Sequence, residues 1–84
     1  MQYVAYANFS CTMLVADRDP ETARRRASER LTYAGTTWRD HIDGVTVIEM
    51  DEETFVRAVH PMIDWPLHIA SRHGRVVPMP LVAA

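Results

Sequence analysis

The dipeptide Asp19-Pro20 constrains this chain more than any other feature. A proline ring clashes with the residue before it and pushes that residue into the extended region, which is the backbone geometry of a helix N-cap. Asp19 therefore reads as a cap and Pro20 as the first helical residue, where a missing amide costs nothing. Glu21 follows in the first turn, where the helix dipole favours negative charge. Ala23, Ala27, Leu31 and Ala34 lie four, four and three apart and form one apolar stripe of helical period. With Gly35 as the stop, the pattern predicts a helix over residues 20–34, from Pro20 to Ala34. Two alanines at the centre of the stripe let its axis approach a sheet closely, so bulk at Ala27 would overpack the contact.

Ahead of the helix, Tyr3, Ala5, Ala7, Phe9, Cys11, Met13 and Val15 fall on odd positions, while Gln2, Asn8, Ser10 and Thr12 fall on even ones. Period two means strand. The run is long beside a typical strand of about 5 to 6 residues, so a break over residues 8–11 making two antiparallel strands is expected. A single bent strand with a bulge is the competing reading. After the helix, Asp43-Gly44 matches a type I′ hairpin turn and is flanked by TTWRDHI and VTVIEM, which together read as a second hairpin. Asp51 is placed to cap a short helix over residues 52–60, stopped by Pro61. Trp65-Pro66, with Asp64 ahead of it, opens a further short helical stretch that Gly74 would end. Two prolines in RVVPMPLVAA limit the tail to an edge strand or an extended arm. The sum is an α+β fold over residues 1–84, read as a single domain. A mostly antiparallel sheet of about four strands carries one main helix across a face, and short C-terminal helices close an end.

Several kinds of chemistry are excluded or disfavoured. All nine basic residues are arginine, so Schiff-base catalysis and a phosphate-loop lysine are out. Cys11 has no internal partner, which points to a reducing compartment and makes the cytoplasm the expected location. No apolar run approaches the roughly 20 residues of a membrane span, and no leader pattern is present, so no membrane partner is expected. His60, His68 and His73 invite a metal site, but their spacing fixes no two ligands together and no CxxC or HExxH pattern occurs. Ser10, Ser28, Ser71 and Cys11 lack a nucleophile-elbow context, and Asp40 beside His41 reads as a hairpin edge rather than an acid/base pair. No catalytic residue, metal or cofactor is expected. A chain of 84 residues buries only about 60 to 65% of its unfolded surface, so a partner contact would matter, whether the chain is a monomer or a homodimer.

Charge is laid out unevenly. Residues 40–64 carry seven acids against Arg57 alone, a net of −6. Asp51 in that stretch is a cap, which leaves Asp40, Asp43, Glu49, Glu52, Glu53 and Asp64 as candidate contacts to a partner. A surface of that sign is drawn to a basic groove, which on another protein is usually a nucleic-acid channel. Helix capping and protection of strand edges account for part of the same acids. A second candidate surface is Arg24, Arg25, Arg26 and Arg30, which on a helix would fan across solvent and could touch phosphate. Against it, Glu21 and Glu29 are spaced to pair with those arginines, and the overall pI of about 6.0 disfavours direct nucleic-acid binding.

The order strand, strand, acidic N-cap, alanine-striped helix, strand hairpin, seen most plainly in ADRDPETARRRASERL, resembles several phage-encoded anti-CRISPR proteins. Those proteins form a functional class with no shared signature. The resemblance covers about residues 12–50. It implies a non-enzymatic inhibitor that occupies the nucleic-acid-binding surface of a CRISPR surveillance complex of the Cascade type in a bacterial host. Two alternatives stand beside it: a small nucleic-acid-binding or regulatory module using the arginine face, and a cryptic enzyme or metal protein.

Overall fold

The computed structural model describes residues 1–9, 13–59 and 74–78. Strands β1 (Gln2–Ala7) and β2 (Met13–Asp17) form an antiparallel pair, so the expected hairpin is present. It also contains the competing feature. Register runs Ala5 to Val15 and then Tyr6 to Met13, leaving Leu14 as the extra residue of a bulge.

Helix α1 (Pro20–Arg30) starts as its sequence dictates. Asp19 has extended dihedrals, and its carboxylate accepts the Thr22 backbone N–H at 2.7 Å and the Thr22 hydroxyl at 2.7 Å. Its end is earlier than the predicted residue 34. Leu31 and Thr32 donate to the carbonyls of Ser28 and Glu29, both at 3.1 Å, and these three-residue bonds tighten and close the last turn. Thr32 and Tyr33 are weak helix formers that give no reason to continue. Gly35, at φ 88°, serves a separate turn in which Thr36 N–H bonds to Tyr33 C=O at 3.0 Å, and Ala34 is left exposed.

The second predicted hairpin does not form. Residues Trp38–Gly44 make a 3₁₀ helix, and strand β3 (Val45–Met50) pairs along its whole length with β1. The physical reason lies at Thr37 and Asp40, spaced as in a capping box. The Asp40 carboxylate folds back to accept Thr37 N–H at 2.6 Å, which starts a helical turn where a strand was expected. Gly44 does not take the positive φ that a type I′ turn requires, since Gly35 is the only positive-φ glycine among the described residues. Asp51 then caps α2 (Glu52–Val59), accepting Thr54 N–H at 2.7 Å. Strand β4 (Arg75–Val76) joins the free edge of β3, as the proline-limited tail allows. A side chain at Gly74 would collide with the Glu49 carbonyl and the Ile48 side chain, so only glycine brings β4 this close.

The sheet order is β2-β1-β3-β4, wholly antiparallel, with helices packed against it. Both faces are buried. Ala5, Ala7, Val15, Val45 and Val47 meet Ala23, Ala27 and Leu31 of α1, while Val4, Tyr6, Ile48 and Met50 form a second cluster with Met13 and Phe55. Alternation on the odd positions therefore described only half of β1, because Val4 and Tyr6 are apolar as well and face the other layer.

Candidate partner-binding surface

Because β2 and β3 both run antiparallel to β1, their C-terminal ends lie beside its start. Tyr3 is opposite Asp17 on one side and Glu49 on the other, and Glu49 is opposite Arg75. Glu52 reaches the same end, accepting the Gln2 amide at 2.9 Å and lying 3.6 Å from Arg18. The two acidic caps, Asp19 and Asp51, follow the last residues of β2 and β3. This end of the sheet thus gathers Asp17, Asp19, Glu49, Asp51, Glu52 and Glu53.

The cations interleaved with these acids are mostly loose. Arg18, Arg57 and Arg75 side chains are 81%, 75% and 80% exposed where they meet Glu52, Glu53 and Glu49. Asp17 pairs with a less exposed arginine, Arg26, at 3.0 Å. Backbone N–H donors at residues 19, 22 and 54 hold the Asp17, Asp19 and Asp51 carboxyls below their ordinary range; for Asp19 the Thr22 hydroxyl is the larger cause. Desolvation, with Glu49 beside it, raises the Tyr3 phenol.

Other predicted contacts lie elsewhere. Asp40 and Asp43 belong to the 3₁₀ helix before β3 begins. Glu52 follows the strand's other end, and six strand residues at about 3.3 Å each separate the two groups by roughly 20 Å. Asp40 is also spent on Thr37, and His41 packs edge-on to Tyr33 with ring centroids 5.7 Å apart, so the Asp40-His41 pair faces no common site. Asp64, with His60, His68, His73 and Cys11, lies outside the described residues. Among the described residues no group of three or more His, Cys, Asp or Glu side chains could hold a metal ion. Asp17 and Asp19 were missed as surface acids because they are distant in sequence from residues 40–64; only the antiparallel order of the sheet joins them.

The arginine surface changes more. Arg24 is not on the solvent side but buried at 1% exposure, with Nη1 3.0 Å from Glu21 and Nη2 3.4 Å from the Val77 carbonyl. The buried face of α1 takes in Ala23, Arg24, Ala27 and Ser28, so it extends one position, about 100°, beyond the alanine stripe. Ser28 at its rim satisfies its hydroxyl on the Arg24 carbonyl at 2.8 Å. Arg25 faces Glu29 at 3.8 Å and Arg26 is tied to Asp17, while Arg30 is exposed. A continuous arginine fan is therefore absent.

Two shallow grooves flank α1. One, of about 180 Å³, lies among Glu21, Thr22, Arg25, Trp38 and Ile42, and the other, of about 210 Å³, lies between Arg24 and the β3–β4 edge. Both are smaller than a typical small-molecule site of roughly 300 Å³ or more. No helix among the described residues is long and apolar enough to cross a membrane. No family model matches the sequence, and neither the curated proteins nor the solved structures contain a significant match.

Proposed function

We propose that this chain is a small non-enzymatic inhibitor of the anti-CRISPR kind. It acts in the bacterial cytoplasm by covering the basic, nucleic-acid-binding surface of a CRISPR surveillance complex. The observation that supports this reading is the convergence of six carboxylates at one end of the sheet. Three of their arginine neighbours are at least 75% exposed. Exposed ion pairs contribute little, so Glu49, Glu52 and Glu53 can exchange those partners for the arginines and lysines that otherwise hold phosphate. The buried Arg24 removes the central residue of the competing nucleic-acid-binding surface.

The test is inhibition of target-DNA binding by purified surveillance complexes. Glu52→Arg/Glu53→Arg should abolish inhibition while the protein stays folded, and Asp43→Arg, roughly 20 Å away at the other end of β3, should leave it intact. Equal inhibition by the folded Glu52/Glu53 variant refutes the acidic-end mechanism, and failure of the parent on every such complex refutes the anti-CRISPR reading itself.

A further inference from the structure

Arg24 is a charged side chain buried to 1% exposure. Among the described residues its charge has one counter-ion, Glu21, whose side chain is itself 59% exposed. Nη1 takes that contact, Nη2 makes only a long 3.4 Å bond to the Val77 carbonyl, and Nε is buried with no hydrogen-bond partner among the described residues. Native proteins leave few buried donors unpaired. Nε and Nη2 form one edge of the planar guanidinium, the edge that takes a carboxylate through two parallel hydrogen bonds.

Arg24 also lines the groove of about 210 Å³ beside the β3–β4 edge. Its walls are Val45, Val47, Val76, Val77 and Pro78, with Asn8 and Thr46 at a polar end where the Thr46 hydroxyl bonds to the Asn8 side chain. The volume suits a compact group of a few carbons rather than a drug-sized ligand. The Val77 segment closes the guanidinium edge. Beyond the two-residue strand β4, Val77 N–H bonds to the Val47 carbonyl at 2.9 Å, and the 3.4 Å contact to Arg24 is the one an incoming carboxylate would replace.

We propose that this groove is a binding site for a small branched aliphatic monocarboxylate, with its carboxylate on the Nε/Nη2 edge of Arg24 and its alkyl body against the valine walls. The pairing is direct: a buried cation whose counter-ion Glu21 is largely exposed, an unpaired donor on the edge suited to a carboxylate, and an apolar recess of matching size. The site is independent of the acidic sheet end and of the inhibitor reading.

The experiment is an NMR titration with isovalerate, following the Arg24 side-chain Nε–Hε resonance and the Val47 and Val77 amides, with isovaleramide as the uncharged control. Isovalerate should shift all three signals saturably, and isovaleramide should bind at least about tenfold more weakly. Arg24→Met should lose the binding, and Val77→Trp, which adds bulk on the α1 side of the sheet where Val77 lines the groove, should lose it while retaining the parent amide spectrum elsewhere. Equal shifts from acid and amide, no saturation, or unchanged binding in folded Val77→Trp each overturn the proposal.

Discussion

Arg24 and Glu21 make an asymmetric ion pair, and the asymmetry sets the sign of two mutations. At an effective dielectric near 20, opposite charges about 4 Å apart attract by about 4 kcal/mol, and solvent access to Glu21 reduces that to roughly 2. Arg24 gives up several kcal/mol of hydration to be 1% exposed, and its unpaired Nε returns none of it. Glu21→Gln leaves that cation without a counter-ion and should destabilise the fold by about 2 to 4 kcal/mol. This is somewhat below the range for fully buried pairs, because Glu21 is 59% exposed. Arg24→Met keeps the unbranched stem against Val77, releases Glu21 to water and removes the desolvated charge. It should fall within about 1 kcal/mol of the parent, on either side. The double variant should match Arg24→Met alone, so that nearly all the cost of Glu21→Gln disappears once the arginine is gone. Urea melts of the four proteins, fitted with a common slope, measure this cycle. If Arg24→Met is the more damaging single change by 1 kcal/mol or more, Arg24 is a net stabilising residue and the reasoning fails.

The remaining predictions concern the helix contact and acid sensitivity. Ala27 is fully buried between α1 and the sheet, so Ala27→Leu should destabilise by about 1 to 3 kcal/mol against under about 0.5 for Arg25→Ala, and equal midpoint shifts in denaturant would contradict the packing. Asp17, Asp19, Asp40 and Asp51 all have folded pKa values below the ordinary 3.8, so the stability they provide is present above that value and is lost as pH falls through the lowered folded values. Asp51→Asn keeps a good cap and should leave neutral-pH stability nearly unchanged while flattening the loss below about pH 4; an unchanged acid slope by circular dichroism would count against the Asp51 contribution.

What was legible in the sequence was local. The Asp19 cap, the Pro20 start and the Asp51 cap are each specified by a few adjacent residues whose steric or hydrogen-bonding preferences have one outcome, while the prolines of the tail left an edge strand or an extended arm open. The misreadings came where two local signals competed or where tertiary context decided. Asp43-Gly44 suggested a turn, but the Thr37 and Asp40 bonds had already begun a helical turn upstream. Arg24 looked like a surface cation beside Arg25 and Arg26, yet the Val77 segment, more than fifty positions later, closes over it. No periodicity on α1 alone carries that information.

The same distinction applies to the candidate surfaces, because both are positioned by β1. The expected hairpin would have paired β3 with residues 36–42. Pairing with β1 instead places Tyr3 between those two acids and brings Gln2 to Glu52. At the opposite end, Asn8, just past β1, donates its backbone N–H to the Gly44 carbonyl at 2.9 Å and its amide to the Asp43 carbonyl at 3.2 Å. That contact fixes the polar end of the Arg24 groove. One central strand thus holds an acidic surface at its start and a cationic recess near its finish. Charge reversal at Glu52 and Glu53 and groove filling at Val77 should therefore act independently, each leaving the other site's binding unchanged. Loss of both activities from either change would mean that the two ends are coupled through β1 rather than merely positioned by it.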